Sequence, residues 1–185
     1  HGDFIFEFDQ VVGELLNTLD RLGIAENTLV MVSSDNGPEV TSVVHMRKDH
    51  QHDGARPWRG MKRDQWEGGH RIPFLARWPG QIASNAQTDQ TVCLCDIMAT
   101  CAAIVGADLS HESAEDSFNI LPVLLGQQPE EQPIREHTLH QTIHLALSIR
   151  KGPWKYLDHQ GSGGNDYEKN EALRPVSYTH LTLPT

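Results

Sequence analysis

Asn27-Thr28-Leu29-Val30-Met31-Val32-Ser33-Ser34-Asp35-Asn36-Gly37-Pro38 is the stretch on which the fold turns. Its first part is a continuous apolar run rich in β-branched residues, without alternation. A strand buried on both faces reads this way, as in a parallel sheet covered by helices. The run then becomes polar at once. Open α/β sheets place their sites at the C-terminal ends of such strands. Asp35 and Asn36 set a carboxylate beside a carboxamide, two oxygen donors that suit a hard cation such as Ca²⁺ or Mg²⁺. Asp-Asn-Gly-Pro is also a good turn in its own right. These four residues leave a metal site and a structural turn both open.

Working outward, Phe4, Phe8, Val11, Val12, Leu15, Leu16, Leu19 and Leu22 form one apolar stripe at helical spacing, and Gly23 stops it. Helix, short turn and buried strand make half of a βαβ unit. Downstream, residues 39–58 are polar and His-rich without a clear period, and predict a long loop. Residues 72–78 predict a second strand, closed by Pro79-Gly80. Asp96 predicts the N-cap of a helix that runs to Gly106. Residues 144–158 predict a hairpin around Lys151-Gly152-Pro153.

Composition narrows the class. The 185 residues carry 25 acidic against 15 basic side chains, a formal charge of −10, which excludes a general nucleic-acid binder. No apolar run approaches the roughly 18–20 residues of a membrane span. Cys93, Cys95 and Cys101 lack zinc-knuckle spacing and predict buried or half-buried thiols. His45, His50 and His52 do not form the helical pair of zinc hydrolases, and no nucleophile elbow, P-loop or dinucleotide fingerprint is present.

A second cluster, Arg59-Gly60-Met61-Lys62 with Glu67-Gly68-Gly69-His70-Arg71-Ile72-Pro73, adds weight to the first. Lys62 offers a compact positive charge for an anion such as sulfate or phosphate. Glu67 and Arg71 are spaced for an ion pair. Ser34-Asp35-Asn36-Gly37, then this cluster, then Trp78-Pro79-Gly80 and Cys95-Asp96-Ile97-Met98-Ala99-Thr100, together resemble the type I sulfatases. These are the formylglycine-dependent arylsulfatases of the alkaline phosphatase superfamily. The resemblance runs from about residue 3 to about residue 164.

That resemblance implies an α/β fold: the C-terminal part of an alkaline-phosphatase-like α/β/α sandwich, with a small antiparallel-sheet subdomain. Residues 1–110 would belong to the catalytic domain, 111–172 to the subdomain, and 173–185 to an unassigned tail of junction origin. It further implies that Asp35 and Asn36 are ligands of a Ca²⁺ ion, with Mg²⁺ the less favoured cation. Lys62 would be catalytic and bind the sulfate. His52, with its neighbour Asp53, would contact the sulfated small molecule or glycan. The family's nucleophile, a formylglycine made in a Cys/Ser-x-Pro-Ser-Arg motif, has no counterpart here, because none of the three cysteines lies in such a motif. The expectation is therefore a C-terminal portion, inactive alone and weak in calcium affinity, with apolar surface exposed and a periplasmic or secreted parent. A phosphodiesterase or phosphonate hydrolase of the same superfamily is the alternative within it, although Asn36 favours an all-oxygen calcium site over a zinc site. A non-catalytic carbohydrate- or partner-binding fragment is the alternative outside it.

Overall fold

A computed structural model describes residues 2–110 and 112–167. The tail at 173–185 and the end of the proposed subdomain lie outside the described residues. The elements are α1 (Gly2–Arg21), β1 (Val30–Ser33), α2 (Val40–His50), β2 (Phe74–Arg77), α3 (Asp96–Val105), α4 (Leu121–Leu124), β3 (Thr138–Gln141), β4 (Leu147–Lys151) and β5 (Trp154–Leu157). β1 and β2 form a two-stranded sheet, and β3-β4-β5 an antiparallel one. Two compact units result. The first holds Ser33–Phe74, the described residues from His137 onward and the first turn of α1; the second holds Phe6–Val32 and Leu75–Glu136.

Several elements form where the patterning places them. α1 carries the predicted stripe, yet none of its residues is buried: Phe4 is 75% exposed and Phe8 54%. The expected exposed apolar surface is thus present. β1 differs from expectation, because all four residues are half-buried rather than covered on both faces. Among the described strands it pairs with β2 alone, so one of its edges is left open. The hairpin is β4 and β5, and β3 adds a third strand in register, with Leu139 opposite Ile149 and Ile149 opposite Tyr156.

The segment 39–58 is not a long loop. Residues 40–50 form α2. The sequence hides it because Val40-Thr41-Ser42-Val43-Val44 is β-branched or polar and the helix buries only Val43 and Met46. Glu39 compensates at the N-terminus, its carboxylate accepting the Val40 amide. Val43 and Met46 then pack on Met61, with Val40 and Tyr167 at the margin, as the core of the first unit.

In the second unit Asp96 opens α3 but does not cap it. Cys95 occupies the cap position, and the Asp96 carboxylate accepts the backbone amides of Cys93 (2.7 Å) and Phe118 (2.9 Å) and pairs with Arg135. α3 therefore turns Asp96 and Thr100 inward, one helical turn apart, and Thr100 Oγ1 accepts the Ile120 amide. Cys101 consequently faces out. Cys95 is exposed as well, so both depart from the expected burial or half-burial, and among the three only Cys93, half-buried, meets it. Burial drives the Cys93 thiol up to about 11.

Candidate functional site

Asp35 and Asn36 leave β1 in a tight bend that owes its path to three glycines. Gly37 donates its amide to the Gly69 carbonyl at 2.8 Å. A Cβ on Gly37 would meet the Gly68 oxygen at 1.8 Å, and one on Gly68 would meet the Gly60 oxygen at 2.3 Å. No side chain fits either contact, so these backbones touch only because glycine sits at both positions. Ser34 Oγ donates to the Asn36 carbonyl at 3.0 Å, and Ser33 Oγ reaches the Pro73 carbonyl at 2.8 Å. The bend leaves Asp35 exposed and Asn36 half-buried.

Lys62 is carried to this bend by backbone. Its amide donates to the Pro38 carbonyl at 3.0 Å, two residues beyond Asn36. The loop beneath it is organised by Asp64, which is buried. One Asp64 oxygen accepts the Met61 amide and the Tyr167 hydroxyl, and the other accepts Asn165 at 2.8 Å. Asn165 also donates to the Lys62 carbonyl at 2.8 Å. Burial, then the Asp64 carboxylate, pushes the Tyr167 phenol well above its ordinary value, so it stays a neutral donor. The Lys62 side chain is 38% exposed, and its ammonium lies 3.3 Å from Glu39, which also takes Arg63 at 3.0 Å. The hydrogen bond from Arg63 is the largest cause holding the Glu39 carboxyl below its usual range. An incoming anion would share Lys62 with Glu39.

The glycine turn has its own anchor, which sequence reading missed. Glu67 accepts Arg150 at 2.8 Å and Lys155 at 2.8 Å, with Arg71 at 3.7 Å. Only the Arg71 partner is legible from spacing; Arg150 and Lys155 lie more than 80 positions away on β4 and β5. The signal that could have found them is polarity at the inward positions of the hairpin. Ser148, Arg150 and Lys155 turn toward Gln65 and Glu67, while Leu147, Tyr156 and Trp154 stay exposed. Burial would raise the Glu67 pKa, but its contacts with His70, Lys155 and Arg150 outweigh that and hold it well below the carboxylate range. His70 Nε2 lies 2.6 Å from Lys155 Nζ and 3.5 Å from Glu67, so the imidazole belongs to the same cluster of charged groups. His140 stacks on His70 at 3.9 Å, and burial, with the charges on His70 and Lys155, drives it down to about 3.

His52 is exposed just beyond α2, and its backbone amide donates to Met46. Asp53 is buried and paired with Arg47 at 2.7 Å, and it also accepts the Ala55 amide. These contacts brace the loop. Lys62, Asp35 and Asn36 are gathered by the Gly37 and Pro38 backbone; among the described residues no backbone hydrogen bond of that kind ties in His52.

A cation at Asp35 and Asn36 would find suitable donor chemistry, since both are oxygen donors on a fixed bend. The number falls short. Among the described residues there is no group of three His, Cys, Asp or Glu able to hold a metal, and Ca²⁺ takes six to eight oxygens.

Comparison with known proteins gives this geometry a family. The Sulfatase family model matches residues 1–107. An N-acetylgalactosamine-6-O-sulfatase of Bacteroides thetaiotaomicron is 34% identical over 169 residues, covering 90% of this chain and 32% of that protein. The steryl-sulfatase of Rattus norvegicus is 39% identical over 127 residues, covering 68% and 22%. A solved Bacteroides thetaiotaomicron structure from work on the metabolism of multiple glycosaminoglycans superposes with a TM-score of 0.75 at 35% identity, over 85% of this chain and 32% of that one. The expected alkaline-phosphatase-like α/β fold holds on this superposition. The chain spans about a third of the first of these curated relatives. No helix among the described residues is long and apolar enough to cross a membrane. With the strand-end Asp35-Asn36-Gly37 bend seated on the Glu67-Gly68-Gly69 turn, this chain belongs to the sulfatase family.

Proposed function

We propose that the complete protein hydrolyses sulfate esters and that this chain supplies the anion-facing edge of its active site. The observation that carries the reading is the glycine contact of Gly37 with Gly68 and Gly69, which sets Asp35, Asn36 and the Lys62 loop on one braced backbone. Asp35 and Asn36 would hold a Ca²⁺ ion through their side-chain oxygens, together with further ligands beyond these two. Such an ion, when bound, neutralises charge on the sulfuryl oxygens. Lys62 provides the mobile cation. Held by Glu39 in the free protein, its ammonium turns to the sulfate as negative charge builds there. Asp64 and Asn165 fix the Lys62 backbone, so only the side chain has to move. The nucleophile is a formylglycine contributed by other residues.

The names of the relatives span an amino-sugar sulfate and a steryl sulfate, so a sulfated glycan and an aryl or steryl ester are both in range. A periplasmic or secreted parent is part of the same proposal. The test is turnover of 4-nitrophenyl sulfate by the product of the full reading frame. Lys62→Met should lower kcat by about 10²–10³, the scale of losing one transition-state charge contact. The 185-residue chain alone should show none. Turnover by that chain, or full activity of Lys62→Met, would refute the assignment.

A further inference from the structure

Cys93 and Cys95 stand at the entry to α3, within the second unit. The chain coils tightly there. The Asp96 amide donates to the Cys93 carbonyl at 3.0 Å, and the Ile97 amide to the Leu94 carbonyl at 3.2 Å. Residues two apart in such a coil have Cα atoms about 5.5 Å apart, inside the roughly 4.4–6.8 Å over which disulfides form. In a regular helix their side chains would diverge. These converge, because the Cys93 and Cys95 side chains hydrogen-bond to each other. Cys101 is beyond disulfide reach: six positions past Cys95, it lies about 9 Å further along the helix axis.

The two sulfurs have different surroundings. Cys95 is exposed and lines a groove of about 830 Å³ with Leu94, Met98, Asp116 and Ser117, wide enough to admit a small molecule. Arg135 donates to the Cys95 sulfur at 3.5 Å. The guanidinium is itself held by Asp96 and, at 2.7 Å, by the Asp116 carbonyl, so it fixes where that sulfur sits. Cys93 is half-buried. Burial is the largest cause that pushes its thiol up to about 11; Arg135 opposes the rise and Cys95 adds to it. The accessible sulfur is thus Cys95, with a protonated thiol directly beside it.

We propose that Cys93 and Cys95 form a reversible dithiol–disulfide pair, in which Cys95 reacts first with a low-molecular-weight disulfide and Cys93 then closes the ring. In the first step the Cys95 thiolate attacks one sulfur of the small disulfide. A sulfur–sulfur bond to Cys95 forms, the bond within the small molecule breaks, and one thiolate leaves and takes up the proton that Cys95 released. In the second step the Cys93 sulfur attacks the Cys95 sulfur. The mixed bond breaks, and the second small thiol leaves with the Cys93 proton. The two protein thiols lose two electrons, and one small disulfide is reduced to two thiols. The ring encloses a single intervening residue, Leu94, and its strain keeps it open to reduction. No residue of the Asp35-Asn36 bend takes part, so the pair stands independently of the sulfatase reading.

The test incubates the full-length protein, reduced and freed of reductant, with glutathione disulfide at neutral pH. The segment holding the three cysteines is read by peptide mass and fragmentation. The wild type should acquire a bond between Cys93 and Cys95, with the loss of two hydrogens, and dithiothreitol should reverse it. Cys93→Ser should stop after the first step and retain a glutathionyl group on Cys95. In the wild type that intermediate should be at least about tenfold shorter-lived. Cys101→Ser, outside the pair, should leave ring closure unchanged. A glutathionyl group on Cys95 that lasts as long in the wild type as in Cys93→Ser would overturn the proposal. So would a ring that includes Cys101, or a Cys95 that does not react.

Discussion

Glu67 and Asp96 are both carboxylates withdrawn from solvent, and the chain handles them differently. Glu67, with its side chain 12% exposed, sits among the cationic ends of Arg150, Lys155 and Arg71. Asp96, fully buried, accepts two backbone amides and one guanidinium. Long side chains can adjust around a lost partner; backbone amides cannot. Asp96 is thus a rigid constraint on loop path in its unit, and Glu67 a tunable clamp on the glycine turn in the other. The clamp lies beside the proposed chemistry.

The contrast predicts a ranking. Asp96→Ala should cost about 3–5 kcal/mol, because Arg135 is left as an uncompensated buried charge and the Cys93 and Phe118 amides lose their acceptor. Chemical denaturation of the full-length protein checks it, and a loss below about 1 kcal/mol would dissolve the distinction. Gly37→Ala comes next, at about 1–3 kcal/mol or more, since the new methyl would overlap the Gly68 oxygen. Calcium response and turnover should fall with it. Unchanged activity in Gly37→Ala would mean that the glycine contact does not seat the bend.

Glu67→Gln is milder, about 1–3 kcal/mol, because a neutral amide keeps part of the hydrogen bonding. Its pH dependence sharpens the comparison. The Glu67 pKa is lowered in the folded state from an ordinary 4.5. Its stabilisation is therefore complete above pH 4.5 and is lost as pH falls toward the folded value. The difference in unfolding midpoint between wild type and Glu67→Gln should be constant above about pH 5 and shrink below it. His140 acts in a higher window. With its pKa moved from 6.5 to about 3, it stabilises fully above pH 6.5 and progressively less as pH falls toward 3. His140→Gln should flatten the acid limb in that range, and a limb unaltered by the substitution would remove His140 from the account.

The smallest effect concerns the thiols. Cys95 and Cys101 are exposed, and Cys93 is half-buried with its pKa raised to about 11. A thiolate-directed alkylating agent at neutral pH should label the first two well before Cys93, detected by peptide mass. Faster labelling of Cys93 would contradict its burial.

The parts that could be read from sequence were those written in local periodicity. The α1 stripe, the β1 run, the stop at Gly106 and the β4–β5 hairpin all depend on neighbours a few residues apart. The proposed roles of Asp35, Asn36 and Lys62 rest on a combination of short motifs resembling a family. What stayed hidden depends on distance along the chain. Asp64 is an ordinary loop aspartate until Asn165 and Tyr167 arrive, and Glu67 looks like half of an i, i+4 pair until the hairpin brings Arg150 and Lys155. α2 was hidden for another reason: its helix rests on one cap and two buried side chains, too few for a stripe. β1 misled in the opposite sense, since a fully apolar strand is only half-covered here.

The central claim is that the Asp35-Asn36 bend is a cation-binding edge held in place by glycines, and it is tested most directly by calcium titration of the full-length protein. The account predicts a saturable rise in melting temperature with Ca²⁺ that is lost in Asn36→Ala. A rise of equal size and midpoint in Asn36→Ala, or no rise in the wild type, would contradict it.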